Sequence, residues 1–278
     1  MKKLFDDVSY ACSKLTTKAY STSFSLGIRF LGRKLHNPIY AIYGFVRFAD
    51  EIVDSFHDYN KKDLLEEFRN ETWIAIERKI SINPILNSFQ FVVNNYGITY
   101  DLIERFFESM ESDLKETVHS KASYDQYILG SAEVVGLMCL RVFTENNNEL
   151  YEDLKPAAMK LGSAFQKVNF LRDINADYKV LGRTYFPGVN FERFSAYEKE
   201  QIQADIENDF VQALAGIKKL PPNARRGVYL AYFYYRKLFI KIKNTPAENV
   251  MQVRIRIPDY SKISLMFQSV LRHQFNML

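Results

Sequence analysis

Cysteine, histidine and helix-breaking residues are all scarce in this sequence. It contains 2 cysteines and 4 histidines in 278 residues, and neither Cys12 nor Cys139 has a second cysteine or a histidine at metal-ligand spacing. This scarcity excludes a disulfide scaffold and a zinc module, and it predicts a reduced, cytoplasmic protein. No Ser-His-Asp order and no glycine-rich phosphate loop is present, which argues against a triad hydrolase or a P-loop enzyme.

Long apolar runs, linkers rich in proline and glycine, and low-complexity tracts are also missing. The apolar run over residues 134–140 is far shorter than the roughly 20 residues of a membrane span. Asp6 and Asp7 interrupt the region where a signal peptide would be apolar, so neither a membrane-spanning nor a targeting segment is expected. Because 47% of the residues are apolar and no linker divides the chain, residues 1–278 are predicted to form one domain.

The net charge of +4 is unevenly distributed. From Lys218 onward the chain carries many Lys and Arg residues but only Glu248 and Asp259 as acids, so this part is expected to face anions. Phosphate groups or an anionic membrane surface suit it better than nucleic acid, because no zinc finger, helix-turn-helix or RNP-like strand accompanies the charge. A solvated basic helix face is the open alternative.

What the sequence has in abundance is helical periodicity. Apolar residues recur three or four positions apart in nearly every long segment, and alternating strand patterns are scarce. The predicted fold class is therefore all-α. The longest break, residues 181–194 with Gly182 and Pro187, predicts a loop that could close over a site. The expected helices cover residues 4–21, 37–56 with Pro38 in its first turn, 61–80, 84–96, 100–118, 122–144, 149–178, 197–218, 222–243 and 260–275.

The first of two acidic motifs lies near residue 50. Asp50 and Asp54 are four residues apart and Arg47 lies three residues before Asp50, so all three share one helix face. Like charges at this spacing weaken an isolated helix, and the preceding segment is apolar. A compensating cation is therefore expected at this face.

The second acidic motif places Asn169, Asp173 and Asp177 on one helical stripe, with Gln166 at its edge. Mg²⁺ prefers oxygen ligands of this kind and is typically held by one or two carboxylates together with substrate phosphates. Two carboxylate helices that face each other would form such a clamp.

A less specific interpretation exists for either motif alone, namely a surface acidic pair or an ion pair with Arg47 or Arg172. Two copies in apolar helices, the second followed by a loop that contains Arg183, favour the metal interpretation.

Four blocks of sequence extend this pattern. They are residues 20–24 (YSTSF), 43–54 (YGFVRFADEIVD), 130–138 (GSAEVVGLM) and 169–187 (NFLRDINADYKVLGRTYFP). Together they resemble the squalene and phytoene synthases, and residues 254–258 (RIRIP) are similar to the basic end of bacterial phytoene synthases. Glu51 and Ala176 stand where many relatives have aspartate and glutamate, which leaves the number of metal ions open.

The resemblance implies a single-domain helical bundle of the isoprenoid-synthase type with a central cavity. It also implies Mg-dependent prenyltransferase activity, with Mn²⁺ as a possible substitute and no NADPH. The expected reaction is the head-to-head (1-1′) condensation of two geranylgeranyl diphosphates to phytoene through a cyclopropyl (prephytoene) diphosphate, the first step of carotenoid biosynthesis. The alternatives are a C15-using dehydrosqualene or squalene synthase and a non-catalytic, membrane-associated relative.

The resemblance also assigns expected roles to individual residues. Ser21 and Ser23 could equally cap a helix, and the aromatic candidates Tyr40 and Phe45, like the other rings, could be plain core. The expected catalytic residues are Asp50, Asp54, Asp173, Asp177, Tyr43 and Arg172. The expected metal ligands are Asp50, Asp54, Asn169, Asp173 and Asp177. The expected substrate-binding residues are Ser21, Ser23, Phe24, Arg47, Tyr127, Gln166, Asn169, Arg183 and Tyr185.

The expected partners are prenyl diphosphates and not nucleic acid. Because the hydrocarbon product is insoluble in water, the protein is expected in the cytoplasm, attached peripherally to the inner face of the membrane through its basic C-terminal helices or an exposed apolar mouth.

Overall fold

Residues 1–115, 118–179, 182–189, 191–252 and 254–257 are described in the computed structural model. Within these ranges the chain forms twelve α-helices, and its only β pairing is an isolated bridge between Val118 and Thr184. The all-α prediction is confirmed. The helices are α1 Lys2–Tyr20, α2 Thr22–Arg29, α3 Arg33–Ser55, α4 Lys61–Arg78, α5 Pro84–Tyr96, α6 Tyr100–Lys115, α7 Lys121–Ile128, α8 Val134–Thr144, α9 Asn148–Lys179, α10 Ala196–Lys219, α11 Pro222–Lys243 and α12 Ala247–Val250.

The N-terminal region contains two helices where the periodicity predicts one. Ser21 is extended, with φ −145° and ψ 102°, and its hydroxyl accepts a hydrogen bond from the backbone N–H of Phe24 at 3.2 Å. This serine therefore caps α2, a helix that the sequence prediction missed, because its hydroxyl satisfies a free N–H group of the first turn.

Helix α3 begins at Arg33, four residues before the predicted start. Pro38 therefore lies inside the helix and not in its first turn, and the helix loses one backbone hydrogen bond there. The extra turn is held in place because Leu35 is fully buried and the backbone N–H of Gly32 donates to the carbonyl of Asn223 at 2.7 Å.

The predicted helix over residues 122–144 is interrupted by a π-helical turn, Leu129–Glu133, between α7 and α8. Two glycines bring its backbone close to its neighbours. A Cβ atom at Gly130 would lie 2.4 Å from the carbonyl oxygen of Arg105 in α6, and one at Gly162 in α9 would lie 2.5 Å from that of Ala132. The turn therefore fixes α6 and α9 relative to each other.

Length and composition alone would allow one described stretch, Lys121–Thr144, to span a membrane. In the fold, 56% of the most apolar 18 residues of this stretch is buried inside the protein, and a helix of the protein core has the same length, composition and burial. The predicted helix over residues 260–275, with His273, lies outside the described residues.

The long helix α9 packs against α10 through a buried ion pair. Nζ of Lys167 lies 2.7 Å from Asp209, which has no exposed surface, accepts a hydrogen bond from Ser163 at 2.7 Å and forms a further ion pair with Lys160 at 3.0 Å. Nζ of Lys167 also contacts Asp205 at 2.5 Å, but 56% of that side chain is exposed. The buried pair fixes the axial position of α9, which carries the second acidic motif.

We expect Asp209→Asn to lower the free energy of unfolding by about 2–4 kcal/mol, because it leaves buried cationic groups without their main partner. The matched variant Asp205→Asn should cost less than about 1 kcal/mol, since its carboxylate is solvated. Urea unfolding measures both changes. Equal losses for the two variants would contradict this account of the α9–α10 contact.

Candidate active site

A cavity of about 580 Å³ lies between the helices, with a polar end and an apolar end. The two ends are formed by different turns of the same helices, since α3 and α9 contribute residues to both. The polar end includes Tyr20, Ser21, Arg47, Asp50, Asp54, Asp113, Gln166, Asn169, Arg172, Asp173, Asp177 and Arg254. The apolar end includes Leu31, Val135, Cys139, Leu140, Phe143, Leu154, Ala157, Leu161, Gly216, Ile217, Leu220 and Gly227.

The first acidic motif lies near the C-terminal end of α3. Arg47 forms an ion pair with Glu51 and lies 3.8 Å from Asp50, while its guanidinium stacks 4.4 Å above the ring centroid of Tyr20. The sequence predicted that Arg47 shares a helix face with Asp50 and Asp54. The structure pairs this arginine most closely with Glu51 and leaves the two aspartates facing the cavity.

The second acidic motif occupies the last three turns of α9. Arg172 donates to Asp173 at 2.5 and 3.0 Å, and Arg254 reaches the same carboxylate at 2.7 Å. Asn169 accepts a hydrogen bond from the hydroxyl of Tyr235 at 3.3 Å. The two motifs line the same cavity, so α3 and α9 bring together carboxylates that are more than a hundred residues apart in sequence.

Burial and mutual repulsion control the charge of these carboxylates. Burial, reinforced by the charge of Asp54, raises the pKa of Asp50 to about 7. Burial, reinforced by Asp173, likewise raises the pKa of Asp177 to about 7. The arginines present therefore do not fully compensate the negative charge at this end of the cavity.

A divalent cation would supply the missing positive charge, and the oxygen donors suit Mg²⁺. Within the described ranges, no three His, Cys, Asp or Glu side chains converge tightly enough to hold a metal ion by themselves. A Mg²⁺ ion at this end would therefore have to be held by one or two carboxylates together with substrate phosphates and water, which is usual for this ion.

Asp113, near the end of α6, is a third acidic element at the polar end and was not predicted. It accepts hydrogen bonds from the hydroxyls of Tyr127 at 2.6 Å and Tyr185 at 3.2 Å. Nothing in the sequence marks it, because it belongs to no repeated acidic motif and is one of several acids in an amphipathic helix. Only the packing of α6 beside α3 and α7 shows that it faces the cavity.

The loop after α9 lies against this end of the cavity, as the sequence suggested. Arg183 donates to the carboxylate of Asp54 at 3.0 Å and to the backbone carbonyl of Asp113 at 3.1 Å. The ring of Tyr185 stacks on Phe170 at 4.0 Å. The loop therefore joins the ends of α3, α6 and α9.

A cluster of aromatic rings, the aromatic wall, forms part of the cavity lining; it consists of Phe24, Tyr43, Phe165 and Tyr235. The rings of Phe165 and Tyr235 stack at 4.0 Å, and Phe24 lies 5.6 Å from Tyr43 and 6.2 Å from Tyr235. Burial raises the pKa of Tyr43 to about 12, so its hydroxyl stays protonated at neutral pH.

Most of the predicted site residues meet in this cavity. All of them line it except Ser23, which lies in the first turn of α2, and Arg183, which reaches the site through Asp54. Tyr40 and Phe45 do not line the cavity; they are buried core residues, which was the alternative interpretation of these rings. Among the lining residues that the predicted site did not include are Asp113, Phe165, Tyr235 and Arg254.

Comparison with known proteins agrees with this geometry. The squalene/phytoene synthase family model matches residues 17–261. The chain belongs to the squalene/phytoene synthase family. The resemblance expected from the four sequence blocks is therefore confirmed, and the activity of the family is the head-to-head joining of prenyl diphosphates.

Two curated relatives and one solved structure illustrate the range of the family. A presqualene diphosphate synthase of Rhodopseudomonas palustris is 25% identical over 269 residues, which cover 90% of this chain and 93% of the relative. A phytoene synthase of Pseudescherichia vulneris is 25% identical over 248 residues, covering 80% and 79%. The crystal structure of a dehydrosqualene synthase has a TM-score of 0.83 at 21% identity and covers 97% of this chain and 98% of that chain. It confirms the predicted isoprenoid-synthase fold.

The crowded carboxylates of this synthase-family site should reduce its stability. The folded-state pKa of Asp50 is about 7 and exceeds its ordinary value of 3.8, so ionisation of this carboxyl favours unfolding. The resulting loss in the free energy of unfolding is absent below pH 4. It grows between pH 4 and 7 and is complete above pH 7. In metal-free buffer at pH 8, Asp50→Asn should therefore raise the free energy of unfolding by about 1–2 kcal/mol. This gain should disappear near pH 4.

Urea titrations at the two pH values measure the effect. Asp58→Asn is the matched control, because Asp58 is exposed in the turn after α3, and it should change stability at neither pH. A wild-type protein that is more stable than Asp50→Asn at pH 8 would contradict the prediction.

Proposed function

We propose that this protein is a Mg-dependent phytoene synthase that joins two geranylgeranyl diphosphates head to head. The observation that carries the proposal is that two carboxylate motifs face one cavity whose opposite end is apolar. Each motif would hold one diphosphate and the apolar end would hold the prenyl chains. The alternative is a C15 enzyme that makes dehydrosqualene or squalene, which shares the site chemistry and differs in the length of chain it accepts.

The length of the cavity supports the C20 substrate. Asp173 at the polar end and Leu154 at the apolar end both line the cavity from α9, and their separation along the helix is about 28 Å at 1.5 Å per residue. This span accommodates a diphosphate followed by an extended C20 chain. Small residues keep the far end open, and Ala157, Gly216 and Gly227 are among them.

Arginine side chains would bind and orient the diphosphates. Arg47, Arg172 and Arg183 lie beside the acidic motifs, and a guanidinium fork suits phosphate oxygens and stays charged. Each of these arginines is paired with a carboxylate, so a diphosphate with its cations would exchange partners with an existing pair. Asp50, Asp54, Asn169, Asp173 and Asp177 would hold the metal.

When bound, Mg²⁺, or Mn²⁺ in its place, would neutralise the leaving diphosphate as a Lewis acid. The other functions would belong to side chains of the protein. The rings of Phe24, Tyr43, Phe165 and Tyr235 would exclude water and face cationic carbon with their π electrons. In this proposal the final cation loses a proton and no NADPH is required.

The experiment that tests this function is incubation of purified protein with Mg²⁺ and either farnesyl or geranylgeranyl diphosphate, without NADPH, followed by mass spectrometry of hydrocarbons and phosphatase-treated lipids. A C40 hydrocarbon is expected. A C30 product would replace the C20 assignment with the C15 alternative. A cyclopropyl alcohol after phosphatase treatment would mean that the reaction ends at the cyclopropyl diphosphate. If neither substrate gives a product, even with NADPH, the non-catalytic relative would be favoured.

In the same assay, Asp50→Ala and Asp173→Ala should each abolish product formation, and chelation of the metal should do the same to the wild type. Asp58→Ala is the matched control and should leave the rate unchanged. Near-normal rates for both motif variants would rule out the metal clamp while leaving the product identity standing.

A peripheral position on the inner face of the membrane is also proposed. The apolar end of the cavity lies beneath the turn before α3 and the turn between α10 and α11, which the hydrogen bond from Gly32 to Asn223 joins. Exposed basic residues surround these turns, whereas the motif end is acidic. They are Arg33, Lys34, Lys218, Lys219 and Arg226. An anionic bilayer at this end would place the prenyl chains and the hydrocarbon product next to lipid.

The protein is expected to float with vesicles that contain phosphatidylglycerol and not with phosphatidylcholine alone. Reversing two charges in Lys218→Glu with Arg226→Glu should weaken binding by about ten-fold or more. The same reversal on α1, Lys3→Glu with Lys18→Glu, is the matched control. Equal losses for both double variants, or no binding by the wild type, would contradict this membrane orientation.

A further inference from the structure

The outer face of α1 is apolar along most of the helix. Four of its exposed apolar residues are spaced four, three and four positions apart, so they lie on one stripe. They are Leu4 at 69% exposure, Val8 at 48%, Ala11, and Leu15 at 70%. We call these four residues the α1 seam. Single exposed apolar residues are ordinary, but a continuous stripe marks a surface that contacts another molecule.

The seam cannot turn into the fold, because the opposite face of α1 is held there. Ser13 is fully buried, and its hydroxyl shares a hydrogen bond of 2.8 Å with that of Ser88 in α5. A Cβ atom at Gly44 of α3 would lie 2.8 Å from the same hydroxyl, so α1 packs closely on both helices. Within α1, which is described in full, Tyr20 alone lines the cavity. The seam is therefore separate from the candidate active site.

Charged side chains flank the seam, and over residues 4–18 their sign changes at its centre. Asp7 lies four residues before Ala11 and is exposed. Lys14 and Lys18, also exposed, lie three and seven residues after Ala11. Neither Asp7 nor Lys14 forms an ion pair within the described part of the chain, and the ammonium of Lys14 has the ring of Tyr40 at 5.9 Å. Both charges are therefore free to meet a partner molecule.

This order of charges makes the face complementary to itself. If two α1 helices pair in opposite directions with Ala11 at the crossing point, Val8 of each copy meets Leu15 of the other. Asp7 of each copy then lies opposite Lys14 of the other, which gives two symmetric ion pairs. The small side chain of Ala11 lets the two helices approach closely. A helix that lies on a membrane is rich in basic residues on its polar face, so the acid at residue 7 favours a second copy over lipid.

We propose that the α1 seam is a contact between two copies of this chain, which pair through antiparallel α1 helices about a two-fold axis at Ala11. The seam is about 17 Å long at 1.5 Å per residue, and one helix face buries less than the roughly 800 Å² per partner of a standard interface. Lys3 of each copy also comes near Lys18 of the other, which lowers the affinity. The dimer is therefore weak, with a dissociation constant of roughly 10–100 μM.

Sedimentation velocity of the full chain over roughly 5–200 μM measures this association. The wild type should shift from one chain towards two as the concentration rises. Leu15→Lys should remain a single chain throughout, because it places an unpaired charge in the seam. Val211→Lys is the matched control, since Val211 is 63% exposed on α10, and it should associate like the wild type.

Exchange of charges tests the pairing of Asp7 with Lys14. Asp7→Lys should weaken the dimer by about ten-fold or more, because it places lysine opposite lysine. Asp7→Lys combined with Lys14→Asp should restore the dissociation constant to within about three-fold of the wild type, because the pairs form again with opposite polarity. A combined variant as weak as Asp7→Lys alone would overturn the antiparallel pairing.

Oxidative cross-linking in a Cys12→Ser background tests the position of the two-fold axis. Ala11→Cys should form a disulfide-linked dimer, because the two copies of this residue meet at the axis. Lys18→Cys should not, since each copy lies seven residues from the axis and the two are about 21 Å apart. Equal cross-linking of both variants would indicate parallel helices and overturn the proposal.

Two further outcomes would overturn the contact itself. One is a wild type that stays a single chain at every concentration, and the other is a Leu15→Lys variant that still associates, which would place the interface elsewhere. If the wild type stays a single chain and Leu15→Lys abolishes flotation with phosphatidylglycerol vesicles, the seam is a lipid contact instead. Because the measurement needs no substrate, failure of the proposed function would leave this inference standing.

Discussion

The fold is organised around carboxylates that are held close together beside an apolar cavity. Like charges in a partly desolvated space repel each other, and each would be more stable in water. They stay in place because they are fixed on rigid helices whose opposite faces are packed into a continuous core, with Phe45 and Leu86 among its fully buried members. The proposed cations and diphosphates would relieve this repulsion, so the instability of the crowded carboxylates would be the source of the affinity for them.

Helix α9 contributes most to holding these carboxylates beside the cavity. It contributes Asp173 and Asp177 at one end of the cavity and Leu154 at the other, so any axial shift would move the second acidic motif and the far end of the cavity together. The buried contact between Lys167 and Asp209 and the close approach of Gly162 to the π-helical turn restrain that shift from two sides. A buried ion pair is weak evidence for stability, but its geometry fixes a register that apolar packing alone would leave freer to slide.

Much of the local arrangement could be predicted from the sequence. Spacing of four residues places Asp50 with Asp54 and Asp173 with Asp177 on single helix faces, because helical periodicity is a local property. Periodicity did not reveal that Ser21 ends one helix and caps another, since the pattern continues across the break. It also placed Pro38 at a helix start, whereas contacts with Asn223 extend α3 by a further turn.

Contacts between distant segments could not be predicted from local spacing and periodicity. Asp113 has no motif around it that would distinguish it from a solvated charge. Arg254 begins the RIRIP block, but nothing local shows that it meets Asp173; the packing of α6 and the return of the chain after α12 bring the two residues to the cavity. The two residues also show why the missed positions matter. Arg254 compensates the charge of Asp173, whereas Asp113 accepts hydrogen bonds from two phenols and has the charge of Arg183 nearby. Within one cavity the fold thus gives carboxylates of one residue type different partners, and what each can do depends on the partners that its side chain meets.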